Sequence, residues 1–420
     1  MDKNIFEVEI SSGGPESYKT STVLTMPCTQ AEFQDALQKA RIQDIRTCGN
    51  ELTKISYPGI TTDIIGQNVD LPELNLLATR LTILGEDDRI GLNGLLQIEK
   101  ENFRTPIPLS RLINLTFNAD ICLLAPQVSN PQELGALLYE SEMLSDEAMA
   151  LLDTTEVGSH FQERLLELLG EQHQEEHGGV FTSRGYVEPG AGFKEVYQKG
   201  EMSSFLRPSA PVVLEVSKGF FDAPQYDYDK TTILNLPATD TAVWRVVGEV
   251  DAASVEECAF RCIDCEVPSL RDAVDNAIDQ EGGIGMANEF AKNLARKYRV
   301  WDEADRVKYK ALLSIAGHPS LQDAIQLMPG LDDYELRPEV AVTWDYAGLV
   351  LREKYPDLPE ELFQTGQAAQ IGQRMLEEGN AVITDYGLLR RKDGGQLPAF
   401  EPGPREHEMA GTQVSGMEMI

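Results

Sequence analysis

A chain of 420 residues with 42% hydrophobic content is long enough for two to three domains and is not a disordered acidic tail. Its anomaly is charge: 69 Asp and Glu against 36 Lys and Arg give a net −33, a field that repels nucleic acid and anionic membrane and attracts basic surfaces. No apolar run approaches the ~18 residues of a membrane span, Met1 to Phe6 lack a signal-peptide pattern, and six cysteines in this length make no disulfide scaffold, so a cytoplasmic protein is expected.

The chain opens with two apolar strands, around Phe6 to Val8 and Val23 to Met26, the second stopped by Pro27, which removes a ladder donor. A turn rich in Thr follows. Leu74, Leu77, Ala78 and Leu81 then fall at helical spacing, as do Leu134, Leu137, Leu138 and Ser141. Ser145, with Asp146 and Glu147 behind it, reads as an N-cap with acids in the first turn. A helix over 160–170 carries Phe161, Leu165 and Leu168 as an apolar stripe, with Leu166 and Leu169 beside it. The half closes on a strand, a turn at Gly185 and a second strand.

The same grammar returns. Phe6-Glu7-Val8 aligns with Leu214-Glu215-Val216, and Val23 to Thr29 align with Ile233 to Thr239. Asn75, Ala78 and Leu81 fall on Asn288, Ala291 and Leu294, while Leu109, Ile113 and Leu115 fall on Leu321, Ile325 and Leu327. Val180 to Val187 match Val382 to Leu389, with Gly185 on Gly387, both expected at positive φ. The offset drops from 208–213 to 202 at this last match, as one modest deletion would produce. The fold class expected is α+β: two related elongated α+β repeats, 1–203 and 206–392, each with small antiparallel sheets and an acidic helical part. The linker is placed from Ser203 to Pro211, and a disordered tail over 396–420, where Pro402, Pro404 and Gly411 break any pattern.

The acids concentrate late in each half. Residues 131–180 hold 12 acids against Arg164 alone, a local charge of −11; residues 331–380 hold 11 against four bases, or −7. Glu163, Glu167 and Glu171 stand i, i+4 on the helix side opposite the Leu stripe, roughly every 6 Å along its axis, where like charges cost an isolated helix a few tenths of a kcal/mol per pair. Duplex DNA carries about one charge per 1.7 Å of axis, so −33 corresponds to roughly 56 Å of duplex. The partner-binding surface expected on this basis comprises Glu140, Glu142, Asp146, Glu147, Asp153, Glu156, Glu163, Glu167 and Glu171 in the first half. In the second it comprises Asp332, Asp333, Glu335, Glu353, Glu360, Glu361 and Glu377.

Three motifs suggest metal chemistry. Cys258, Cys262 and Cys265 have the spacing of a radical-SAM iron–sulfur site, but Asp264 stands where an aromatic residue usually precedes the last cysteine, and structural thiols are expected. His173-Gln174-Glu175-Glu176-His177 has the order of an inverted zincin. A zinc site needs both histidines on one buried helical face and a further carboxylate; this segment is polar and runs into Gly178-Gly179, so an exposed fraying helix end is expected. Asp222, Asp227 and Asp229 lack the Gly and closing Glu of a calcium loop, and His160 and His318 are isolated. Catalytic residues, bound metal and cofactors are all expected to be none.

The strand ending in Pro27-Cys28-Thr29, the helix Glu73-Leu74-Asn75-Leu76-Leu77-Ala78 and the closing Val180-Phe181-Thr182…Gly185-Tyr186 resemble the ArdA-type antirestriction proteins. The resemblance covers most of 1–392 in two copies; Ser11-Ser12-Gly13-Gly14 stands where the family carries Tyr-Asn-x-Gly-x-Leu. It implies an acidic DNA mimic that occupies the DNA groove of type I restriction–modification enzymes. It also implies a homodimer, or an intrachain pseudo-dimer of the two copies, with no nucleic acid or membrane partner. The alternatives are an acidic adaptor for another basic protein, or an iron–sulfur or zinc enzyme.

Overall fold

The computed structural model describes residues 4–12, 19–102, 106–200, 210–219, 221, 230–281, 283–357, 359, 361 and 365–399. The linker expected over 203–211, all but its last two residues, lies outside them, as do the tail from 400 onward and Asp222, Asp227 and Asp229. The fold is α+β. Among the described residues four three-stranded antiparallel sheets form, two in each of two compact units. The first unit comprises 1–13, 21–30 and 46–208, the second 14–20, 31–45 and 209–420. Residues 31–45 therefore belong with the second unit and not, as the linear reading had it, with the first half of the chain.

In the first unit β1 (Phe6–Ser11) lies between β2 (Thr22–Met26) and β3 (Gly49–Ile55). β1 alternates buried and half-buried residues because its two faces differ: Phe6, Val8 and Ile10 line the core, Glu7 and Glu9 do not. The chain leaves this unit along α1 (Gln30–Lys39) and returns at β3. It continues through α2 (Thr62–Ile65), α3 (Leu71–Ile83), α4 (Glu86–Asn102) and α5 (Leu109–Thr116). Asp70 caps α3 by accepting from the Glu73 N–H, and Leu74, Leu77, Ala78 and Leu81 are buried on its inner face. A second sheet, in the order β4 (Leu123–Ala125), β6 (Gly185–Glu188), β5 (Val180–Thr182), is accompanied by α6 (Pro131–Glu140), α7 (Asp146–Asp153) and α8 (His160–His177).

The second unit contains α1 and repeats the order. β7 (Val212–Lys218) lies between β8 (Thr232–Leu236) and β9 (Cys258–Cys265), with α9 (Asp240–Glu249) after β8. The helices α10 (Arg271–Glu281), α11 (Gly285–Tyr298), α12 (Glu303–Ile315) and α13 (Leu321–Leu327) follow. β10 (Tyr334–Arg337), α14 (Thr343–Lys354), α15 (Gly366–Glu378), β11 (Ala381–Thr384) and β12 (Gly387–Arg391) close it, with sheet order β10-β12-β11.

Registers agree in detail. Phe6 pairs with Met26 and Ile55, Val212 with Leu236 and Cys265, and a bulge falls one step on in each case, between Glu7 and Val8 and between Val213 and Leu214. Phe6 thus corresponds to Val212, two residues short of the sequence alignment onto Leu214. A slip of two preserves the inward and outward alternation, so hydrophobicity alone leaves it undetected. The third strand of each opening sheet carried no expectation. β3 has no fully buried residue, and β9 reads first as a cysteine motif. No helix is described between α14 and α15, where the first unit inserts α7, and the change in offset falls there.

One polar device recurs at the junction of sheet and helix. The Asn75 side-chain oxygen accepts from the Cys28 N–H at 2.8 Å while its amide donates to the Cys28 carbonyl at 3.1 Å. Asn288 treats Ala238 identically, at 2.7 and 3.0 Å. Each asparagine satisfies both backbone groups of the residue that follows a cis proline bond. Replacement of Asn75 or Asn288 by Ala leaves those groups unpartnered and is expected to lower stability by about 1–3 kcal/mol. Urea unfolding midpoints of the two single variants measure it, and the two losses are expected to be similar.

Candidate functional site

One group of exposed acids in the first unit runs from the end of α6 through α7 to the start of α8. Glu140, Glu142, Asp146, Glu147, Asp153, Glu156 and Glu163 are all exposed, and no Lys or Arg occurs in the sequence between Arg111 and Arg164. Local structure holds them there. Ser145 caps α7 by accepting from the Ala148 N–H, so Asp146 and Glu147 sit where the first-turn amides favour negative charge. Ser159 caps α8 through the Gln162 N–H. Asp153 accepts from the Tyr139 hydroxyl at 2.7 Å, which ties the end of α7 to α6.

α8 is turned differently from the expected amphipathic arrangement. Phe161 and Leu168 are exposed, at 60% and 47%, whereas Gly170 is buried and Leu166 and Leu169 are half-buried. The cause is a close helix crossing: a Cβ on Gly170 would stand 1.9 Å from the Pro131 carbonyl oxygen, so α6 fits against α8 only at a glycine. The row Glu163, Glu167, Glu171 is also uneven. Glu167 pairs with Arg164 at 2.6 Å and Glu171 is half-buried, leaving Glu163 exposed beside His160. Met143 at 65% and Val157 at 88% exposure add apolar surface among the carboxylates.

In the second unit Asp332, Asp333, Glu361 and Glu377 are exposed. Glu335 is engaged: it accepts from Arg337 at 2.8 Å and Arg390 at 2.9 Å, and although burial pushes its carboxyl up, the two guanidinium groups hold it below the usual range. It joins β10 to β12 and is not an available surface charge, a correction that the linear sequence cannot make because Arg390 is 55 residues away. Glu360 and the side chain of Glu353 lie outside the described residues.

The cysteines do not converge. Cys258, Cys262 and Cys265 lie along β9, and at about 3.3 Å per residue the first and last stand roughly 23 Å apart in an extended strand. Cys262 and Cys265 are buried, and burial pushes both thiols up, Cys265 to about 12. The histidine pair behaves otherwise. α8 continues in register to His177, and Gly178 caps it at φ 68°, so His173 and His177 share one face. From the neighbouring sheet Glu188 reaches His173 Nε2 at 2.9 Å. One nitrogen from each imidazole and one Glu188 oxygen lie within 4.8 Å of one another, the only such trio of possible metal ligands among the described residues. The sequence lacked a carboxylate for this pair; β6 supplies it from eleven residues past His177.

The second unit buries a charged cluster that no motif announces. Asp35 of α1 accepts from the Tyr386 hydroxyl at 2.7 Å and pairs with Lys310 at 3.2 Å and Lys39 at 3.0 Å. Lys310 also donates to Gln38 at 2.9 Å. Burial pushes the Asp35 carboxyl up, but Lys310 and Lys39 outweigh it and hold it below the ordinary value. Every polar end of this cluster is used internally, which marks it as a fastening for α1.

No helix among the described residues is long and apolar enough to cross a membrane. Compared with known proteins, the chain matches no family and no curated relative.

A depressed carboxyl stabilises the fold above its unfolded value and loses that contribution as pH falls through the folded one. Asp35→Asn is therefore expected to lose about 3–5 kcal/mol at pH 7, because Lys310 is left buried without its counter-charge. Its stability is also expected to fall less than the parent's between pH 5 and 3. Urea unfolding at these three pH values tests both parts.

Proposed function

We propose that this protein is an acidic mimic of DNA, built from two ArdA-like repeats, that occupies the DNA-binding groove of a protein such as a type I restriction–modification enzyme. The observation that carries the reading is the cation-free stretch between Arg111 and Arg164, with seven exposed carboxylates from Glu140 at the end of α6 to Glu163 in the first turn of α8. A solubilising surface intersperses both signs; a single-sign face on ordered helices presents fixed charge to a basic groove. Matching strand order, register and bulge in the two units support descent from one ancestral repeat and a pseudo-dimer within one chain.

Phe161, Leu168, Met143 and Val157 favour a protein as the partner, since apolar side chains among charges are buried when a protein covers them and stay wet otherwise. The same observation supports the second reading, an acidic adaptor for a basic protein unrelated to restriction. A methyltransferase core that reads DNA separates the two, because only a mimic competes with its duplex.

The expected result is competition with duplex DNA that weakens steeply as salt rises from 50 to about 200 mM, as phosphate contacts do. Each exposed carboxylate pair is worth about 0–1 kcal/mol, so Glu163→Gln alone should change little. Neutralising Glu140, Glu142, Glu156 and Glu163 together should weaken competition by roughly a few kcal/mol without loss of fold. A fourfold variant that competes as well as its parent leaves the charge with a solubilising role only.

A further inference from the structure

We infer that His173, His177 and Glu188 form a three-ligand site for a divalent transition metal of the zinc class, with one position open to solvent.

The argument begins with tautomers. His177 Nδ1 lies 3.0 Å from the His173 backbone carbonyl oxygen, one turn back on α8. A carbonyl only accepts, so this nitrogen carries the proton and Nε2 is left with its lone pair outward. That is the outer-sphere arrangement which fixes a metal-binding imidazole: one ring nitrogen donating to a backbone carbonyl, the other free to coordinate. The two rings stack with centroids 4.0 Å apart and 20° between planes, so they advance side by side from one helix face. Glu188, 9% exposed on β6, faces them with its carboxylate on His173 Nε2.

Two nitrogens and one oxygen suit zinc, which takes imidazole at about 2.0–2.1 Å and carboxylate at about 2.0–2.2 Å. Tetrahedral ligand atoms then stand about 3.3 Å apart, so the present spread within 4.8 Å closes by rotation of the exposed His177 ring while the 2.9 Å His173–Glu188 contact opens by a few tenths. Coordination through Nε2 places the single ring proton of His173 on Nδ1, as a neutral imidazole ligand requires. Three protein ligands leave a fourth position for water, the pattern of open zinc sites. Tyr186, two residues from Glu188 and on the same strand face, has a buried hydroxyl without a hydrogen-bond partner.

The fold does not require the trio. Gly170 and Gly372 make the same close approach to a helix-start carbonyl, of Pro131 and Thr343, and Val187 and Leu389 hold the same register. On that correspondence the second unit carries Met375, Gly379 and Arg390 at these positions. The same helix-on-sheet junction therefore forms without an imidazole or a carboxylate. An ion pair that merely neutralised Glu188 would need His173 but not His177, whose exposed ring adds nothing to burial.

The test uses untagged full-length protein, stripped with chelator and titrated with Co(II), then with Zn(II) against a chromophoric chelator. One Co(II) per chain, with visible d–d absorption abolished by one equivalent of Zn(II), is the expected result. His177→Ala and Glu188→Gln should each weaken Zn(II) binding at least about tenfold, the loss that even outer-shell partners produce. Both variants are chosen to fold: position 177 is an exposed helix end, and Gln still accepts from His173. Thermal melts of the stripped proteins check this. Absence of stoichiometric Co(II), or affinity unchanged in either variant with the melt preserved, overturns the site.

Discussion

The close crossing of α6 and α8 at Gly170 decides most of what the first unit presents to its surroundings. With the Pro131 carbonyl against that glycine, no side chain can stand between the helices, and α8 has one permitted rotation about its axis. That rotation turns Leu166 and Leu169 partly inward, leaves Phe161 and Leu168 outside, and carries His173 over β6 within reach of Glu188. The small sheet of β4, β6 and β5 is packed against the same helices, because short strands need a covered hydrophobic face to be stable. Leu134, Leu138, Val128 and Tyr186 form the core beneath it. The second unit reaches the same solution with Gly372 against Thr343 and a core of Val340, Tyr346, Leu376 and Leu388.

Within this frame the carboxylates divide by neighbours and not by number. Asp35 and Glu335 are internal, each held by two cations, and both are depressed below their ordinary range. Glu73 accepts from the Tyr197 hydroxyl at 3.0 Å and so ties the segment after β6 to α3. Glu140, Glu142, Asp146, Glu147 and Glu156 have neither a cation nor a buried donor among the described contacts. Only this last class is available to a partner; in the first unit it includes the acids from the end of α6 to the start of α8, beside other exposed acids such as Asp63, Asp87 and Glu101. A net charge of −33 therefore overstates the interacting surface and understates its organisation.

The two units share a frame and differ in equipment. α7, with its capped acidic first turn, and the His173–His177–Glu188 trio are described in the first unit alone. The second has instead α1 fastened by Asp35, Lys310 and Tyr386. Features that the shared strand order does not need, and that one unit has while the other lacks, are where function is best sought, since sites and not folds carry it.

The sequence by itself determined the α+β class, the strands stopped at Pro27 and Pro237, the α3 stripe, the Ser145 cap and the turns at Gly185 and Gly387, which adopt φ of 123° and 135°. Each of these is local: a proline, a cap or a glycine dictates backbone within a few residues, and helical spacing needs only one turn of context. The tertiary structure alone decided which face of α8 is packed, that Glu335 is consumed by Arg390, that Asp35 meets Tyr386 across 351 residues, and that Glu188 completes a histidine pair. Those are partnerships between side chains far apart in the chain, and no period or spacing encodes them. A leucine stripe shows that a helix has an apolar side, but the glycine that admits a neighbouring backbone chooses the side that is buried.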